Sequence, residues 1–455
     1  MVRGVVLAAL AALVASSASA TPTTRMDRSR LRIGAYSFGK VAHDEAQVRA
    51  AKECGIDFVL GVKATDRAAL DLLAKYKIGV IAGGMLLGGW WGGDGSNAGK
   101  MRTSRPKDVF EGEMAKYAES LDHPAIWMIS LCDEPSALDM PYLGELCDVI
   151  AKYSPQTPAY VNLYPSYAVG AGNTGTQTRN QLGTKTYKEH IDVYCQTVPL
   201  DYISYDFYVY TPKREQRAGL CRRMYENFKT VADACRRTGR SLWYIPQVNS
   251  YEATPFEPTT CNRLRFQAYT AMAFGVESIS WACWMPGWWT NNVLTATGEK
   301  TDQYERLKIV NAEIHRFGPH YMRYRSTATH FVGFAPTNGV ATIGVPLLSK
   351  LDANSFFDLR TRENSPLVVG EMTPRSEDDD SCALFVVASG DPFDDAPARR
   401  TVTFRVPNGR IVKAFGCNGH IKLMREANGV FTLPLEENSA VLLASRPAKG
   451  DERGR

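Results

Sequence analysis

The sequence predicts an α/β protein, a (β/α)8 TIM barrel followed by a C-terminal antiparallel β-sandwich. Three observations predict it. Eight short apolar runs alternate with amphipathic stretches between residues 31 and 323, the pattern of parallel strands covered on both faces. Eight such units in about 290 residues match the length a closed barrel needs. From residue 324 to 447, seven short alternating or apolar runs are divided by Gly, Asn, Asp and Pro, with no helical stretch between them. A doubly wound open sheet is the rival, but no Gly-rich phosphate turn follows the first strand.

The elements read as follows. The first strand is 32–38 (RIGAYSF), followed by a helix over DEAQVRAAKEC that Gly55 stops. The second, 57–62, leads through the N-cap candidates Thr65 and Asp66 into AALDLLAKY. The third, 78–83, opens a Gly-Trp loop before a helix at 107–120. The fourth is 125–131, with its helix at 142–153. Strands at 159–164, 202–208, 242–248 and 278–284 complete the eight, with helices near 186–196, 214–237, 263–274 and 302–317. In the β-rich half, 376–380 (SEDDD) reads as a solvated loop, and residues 448–455 as a flexible tail.

Composition narrows the function. Of 455 residues 44% are hydrophobic and 22% charged, the balance of a large globular protein. The net charge is only +5 with its charges interspersed, which excludes the concentrated basic face of a nucleic-acid binder. The one long apolar run is N-terminal, so no interior membrane span is expected. Arg3, the apolar stretch 4–14 and the small residues 16–20 (SSASA) form a signal peptide, with cleavage expected after Ala20. A polar leader, 21–30, precedes the barrel. The expected location is therefore secreted or periplasmic. Ten cysteines in an exported chain suggest one or two disulfides. Cys221 and Cys235, fourteen residues apart on one helix, stand roughly 21 Å apart and do not pair. Cys132 and Cys283, inside core strands, read as buried thiols.

A barrel of this type carries its site at the C-terminal ends of its strands. The fourth strand ends in Cys132-Asp133-Glu134-Pro135. The fifth carries Asn162 and Tyr164, and the sixth Tyr205, Asp206 and Tyr208. The seventh ends at Gln247 and Asn249, with Glu252 close behind. The eighth gives Trp281 and Trp284, then Trp288 and Trp289, and the third-strand loop adds Trp90, Trp91 and Asp94. Carboxylates, amides and phenols among tryptophans, without clustered His or Cys, suggest a carbohydrate partner. Aromatic faces stack on sugar rings while amides and carboxylates bind the hydroxyls. Cleaving a glycosidic bond needs a protonated carboxyl at the leaving oxygen and a second group at the anomeric centre. No metal or organic cofactor is expected.

The segment AIWMISLCDEP resembles the fourth-strand segment of the clan A TIM-barrel glycoside hydrolases, whose acid/base Glu usually appears as Asn-Glu-Pro. SYDFY resembles their sixth-strand His-x-Tyr segment, with Asp206 in place of the His. A barrel with a following β-domain is similar to the β-galactosidase-type members. Most of the barrel also resembles uncharacterised exported bacterial glycosidase-like proteins with DEPSA, VNLYP and SYDFY-type segments. The resemblance implies Glu134 as general acid/base and Tyr208 as the sixth-strand Tyr. Two positions depart from the pattern: Asp133 replaces the Asn that contacts the sugar 2-hydroxyl, and Gln247 stands near the expected nucleophilic Glu.

Three repairs make good the missing group. Asp206 serves as nucleophile or water-activating base, Glu252 reaches in from its loop, or Asp133-Glu134 resembles the pair of substrate-assisted N-acetylhexosaminidases. Successive strand residues face opposite ways, so the last requires the strand to bend or end there. The favoured pair is Glu134 with Asp206. The rival from another class is a non-catalytic carbohydrate-binding protein on the same barrel, which Gln247 motivates.

Overall fold

The structure is a computed structural model that describes residues 25–83, 95–168, 170, 181–210, 217–250, 258–286, 290–335, 345–390 and 398–448. The expected signal peptide at 1–20, Trp90, Trp91, Asp94, Glu252, Trp288 and Trp289 lie outside these residues.

Eight parallel strands close the barrel in chain order. They are β1 (Arg32–Ala35), β2 (Phe58–Lys63), β3 (Gly79–Gly83), β4 (Ile126–Asp133), β5 (Ala159–Leu163), β6 (Tyr202–Asp206), β7 (Ser241–Ile245) and β8 (Val276–Trp281). Closure is made by β8 pairing with β1, Ile33 opposite Ile279. Around them run α1 (Glu45–Glu53), α2 (Arg67–Lys75), α3 (Met101–Ser104), α4 (Lys107–Leu121), α5 (Met140–Tyr153), α6 (Tyr187–Thr197), α7 (Arg217–Thr238), α8 (Cys261–Ala273) and α9 (Asp302–Tyr321). The helix starts are set by side chains that accept orphan N–H groups: Asp44 for α1, Asp66 for α2, Thr260 for α8 and a Thr186–Glu189 capping box for α6. The predicted strands at 32–38, 202–208, 242–248 and 278–284 each end sooner, because the chain leaves the ladder to build the loops of the mouth.

The barrel interior is packed with aromatic rings. Tyr202 stacks on Trp243 with centroids 4.4 Å apart, and Tyr160 lies parallel to Tyr202 at 6.2 Å. A Cβ at Gly79 would sit 2.1 Å from the Trp127 ring, so glycine there makes room for that indole.

The expected polar leader is partly structural. Arg25 donates to the carbonyls of Leu121 (2.7 Å), His123 (3.0 Å) and Ile126 (3.2 Å) below β4. Arg28 pairs with Asp201 and Ser241 below β6 and β7, and Arg32 with Asp27 at 2.9 Å. These residues plug the N-terminal end of the barrel.

After α9 the chain forms two facing sheets from β9 (Tyr324–Val332) to the last strand (Ala440–Pro447). One has seven strands and the other five, with an apolar layer including Phe356, Leu384, Phe404 and Leu443 between them. Phe385 of this sandwich packs edge-on against Tyr269 of α8 and Phe317 and Tyr321 of α9. Arg236 of α7 donates to Ser326 (2.8 Å) and Thr329 (2.7 Å) of β9. One continuous core therefore spans both halves. The SEDDD segment is a surface turn in which Asp379 holds Arg323 at 2.8 Å.

The expected disulfides do not form: all ten cysteines are free thiols. Apart from Cys221 and Cys235, which share α7, they are dispersed over separate segments of both halves, and Cys54, Cys132, Cys147, Cys235 and Cys283 are buried. Burial pushes the Cys54, Cys132, Cys147 and Cys235 thiols well up. Among the described residues no helix is long and apolar enough to cross a membrane.

Candidate active site

Three adjacent strands bring their last polar residues to one point. Asp133 of β4 lies in register with Asn162 of β5, and Asn162 with Ser204 of β6. Asp206 stands two residues beyond Ser204, on the same face. The Asn162 amide donates to Asp133 Oδ1 at 3.2 Å and to Asp206 Oδ1 at 2.9 Å. Its own oxygen accepts from Ser204 Oγ at 3.0 Å. Ser204 thereby spends its single hydrogen, so the Tyr160 hydroxyl 3.0 Å away is the donor to Ser204. The chain Tyr160 to Ser204 to Asn162 sets the amide with its NH2 toward both carboxyls.

A residue not anticipated from sequence closes the other side. The Tyr36 hydroxyl, just past β1, donates to Asp133 Oδ2 at 3.0 Å across the barrel. Arg32, Gly34 and Tyr36 alternate on the inner face, and that period of two is the signal that would have found it. Tyr208 donates to Asp206, and Tyr36 and Tyr208 pack against Ile245, Ala282 and Cys283.

Among the described residues neither carboxyl meets a cation. Burial raises Asp206 to about 7, the Asp133 charge pushes it the same way, and the hydrogen bonds from Asn162 and Tyr208 offset this only in part. Asp133 is also raised by burial, against the bonds from Asn162 and Tyr36. Like charges sharing one amide do not both ionise easily, so the pair retains a proton near neutrality.

Glu134 follows directly. Its φ is +53°, a left-handed conformation that a non-glycine residue adopts at a cost of order 1 kcal/mol. Its N–H donates to Asn162 O at 2.8 Å, so β5 holds the turn in place. The strand ends and bends here, which is the condition for Asp133 and Glu134 not to face opposite sides of the sheet.

Several sequence candidates are placed elsewhere. Gln247 is fully buried and exchanges two 3.1 Å hydrogen bonds with the backbone of Tyr210. Its amide is a splint between β7 and the chain beyond β6, because both of its polar atoms are consumed there. Asn249 accepts from the Cys283 N–H and donates to Asn292 at 3.0 Å, tying the loop after β7 to the residues after β8. Trp281 is buried outside the barrel, its indole N–H on Asn311 of α9 at 2.8 Å. Trp284 is buried between Phe38 and Tyr304. Tyr205 points to the helix layer, against Phe228 and Tyr244, because it alternates with the inward Ser204 and Asp206. Tyr164 is buried near His190 of α6. These side chains belong to the packing, not to the mouth. Tyr167, by contrast, is 38% exposed and packs its ring on Phe207 beside the mouth.

A groove of about 710 Å³ between α6 and α7 lies outside the barrel. Most of its charges are already paired, Lys188 and Arg237 with Asp192 and Lys229 with Asp233. Among the described residues no group of three or more His, Cys, Asp or Glu side chains is arranged to hold a metal ion.

No family model matches the chain, and no curated protein is similar to it in sequence. Solved structures are similar in outline. A glycoside hydrolase family 30 subfamily 8 xylanase from Clostridium acetobutylicum aligns at 12% identity and TM-score 0.43, over 91% of this chain and 95% of its own. A β-galactosidase from Rahnella sp. R3 aligns at 10% identity and TM-score 0.48, over 91% and 98%. A family 5 mannosidase from Rhizomucor miehei aligns at 10% identity and TM-score 0.44, over 63% and 94%. At these identities and scores no residue role passes from them to this chain.

Proposed function

We propose that this chain is an exported glycoside hydrolase acting on an oligo- or polysaccharide. Glu134 protonates the leaving oxygen, and Asp206 takes the proton of the water that attacks the anomeric carbon. Asp133, held by Tyr36 and Asn162, shares the proton of the pair. The observation that carries this reading is the Asp133–Asn162–Asp206 cluster at the barrel mouth, next to Glu134 and ringed by phenols. Either role requires Asp206 to be the ionised member of the pair, with the shared proton on Asp133. A raised carboxyl is then a stronger base toward water than an ordinary one, which supports the base role. Export rests on the leader at residues 1–20.

Asp133 also supports a second reading. A carboxyl gripped on both oxygens beside Glu134 suits the orienting role in substrate-assisted cleavage of an N-acetylhexosaminide. The test is hydrolysis of galactosides, glucosides and N-acetylhexosaminides by the wild type and Glu134→Gln. Loss of turnover by about 10²- to 10⁴-fold with sugar binding retained is the expected result. Cleavage confined to N-acetylhexosaminides selects the Asp133 route. Binding without cleavage in the wild type would overturn the hydrolase in favour of a carbohydrate-binding protein.

A further inference from the structure

On the β1–β2–β8 side of the mouth lies a cavity of about 480 Å³. Its lining includes Ser37, Lys40, Lys63, Asp66, Cys283 and Met285. Cys283 joins it to the site, since this residue packs in one cluster with Tyr36 and Tyr208, the phenols that donate to the two carboxyls. The two lysines arrive together for a backbone reason. Gly39 approaches Gly61 so closely that a Cβ on Gly39 would stand 2.3 Å from the Gly61 carbonyl oxygen. Gly61 has φ +100°, which only glycine adopts without strain. Lys40 follows Gly39, and Lys63 stands two residues beyond Gly61 on the same strand, so this contact puts both ammonium groups on one rim.

The charges there are unbalanced. Among the described residues neither lysine has an ion-pair partner. Asp66, the carboxylate in the lining, is already engaged by His43 at 2.8 Å and by the N–H of Ala69. The oxygens of the carboxyl pair are taken by Asn162, Tyr36 and Tyr208, not by these lysines. A ligand spanning the mouth therefore meets negative potential at the reacting end and positive potential at the β1–β2 end. We propose that this cavity is a subsite for an acidic sugar, one bearing a carboxylate or a sulfate, whose anion is bound by Lys40 and Lys63. The overall charge of +5 favours the encounter with such a glycan. The proposal rests on the carbohydrate reading of the site and names the substrate class within it.

The test is binding of the full mature chain to an array of neutral, uronate-bearing and sulfated oligosaccharides. It is run on the wild type, on Lys40→Ala/Lys63→Ala, and on the charge-keeping Lys40→Arg/Lys63→Arg. The expected result is preference for acidic glycans, weakened by salt and reduced at least about tenfold in the alanine variant. The arginine variant retains binding, which separates charge from folding. Uronate against sulfate hits distinguish the two sources of the anion. Preference for neutral glycans, no binding to any glycan, or acidic binding unchanged in the alanine variant overturns the subsite. Cleavage of neutral glycans alone sinks the subsite and leaves the hydrolase standing. Acidic binding without cleavage does the reverse.

Discussion

The two ends of the barrel treat their carboxylates in opposite ways. At the N-terminal end the exposed Asp27 and Asp201 and the partly buried Asp57 each meet a guanidinium or an N–H: Asp27 holds Arg32 at 2.9 Å, Asp201 holds Arg28, and Asp57 accepts the Ile33 N–H at 3.0 Å. Asp27 is accordingly kept low, first by the Ser29 hydroxyl and then by Arg32. At the C-terminal end the side-chain partners of Asp133 and Asp206 among the described residues are an amide and phenols, and both are pushed up. Paired carboxylates stabilise the fold, whereas unpaired ones hold a proton that chemistry can use, at some expense in stability.

The sharpest way to break the contrast is Asp206→Asn. Turnover of the substrate found in the panel should fall by about 10²- to 10⁴-fold. The same variant changes pH dependence. Folding raises Asp206 above its ordinary 3.8 to about 7, so its contribution to stability is complete below the ordinary value and is lost as pH rises through 7. Asp27 runs the other way: its contribution is present above the ordinary value and lost on acidification. Urea unfolding at about pH 5 and about pH 8 should show the alkaline loss in the wild type and its reduction in Asp206→Asn. An unchanged alkaline slope in the variant would mean the pair is not the titrating element.

Arg25→Ala tests the other end. It removes four carbonyl contacts of a half-buried guanidinium, and a loss of roughly 2–3 kcal/mol in urea unfolding is expected. Activity below the unfolding transition should stay at the wild-type level. Loss of activity in the still-folded variant would show that the two ends are not independent.

Tyr36→Phe is the smallest change. It removes one 3.0 Å bond to Asp133, worth about 1–2 kcal/mol, and turnover should drop roughly five- to thirtyfold. Because that bond lowers Asp133, its removal shifts the acid limb of the pH–rate profile upward. A profile that keeps its midpoint would reduce Tyr36 to packing.

Much of this was legible in the residues. Eight apolar runs with their spacing imply the barrel, because parallel strands are buried on both faces and write that into composition. Asp133, Glu134, Asn162 and Asp206 were visible as polar residues where apolar strands end. What was not legible turns on parity and on partners. Tyr205 and Tyr208 share one segment, yet one faces the helices and the other the mouth, since an odd separation puts them on opposite faces of the strand. Trp281 and Gln247 looked like ligands until Asn311 and Tyr210 were found holding them.

By itself, then, the sequence determined the barrel, the sandwich and the set of acids at the strand ends, because burial of apolar surface and strand periodicity are local properties. Only the tertiary structure decided which acids meet. The register shift in β4 between Ser130 and Cys132 aligns Asp133 with Asn162, the bend at Glu134 turns the chain out of the sheet, and closure of the barrel carries Tyr36 across to Asp133. Whether a carboxyl is paired or left to hold a proton depends on partners tens to hundreds of residues away. No local pattern records them.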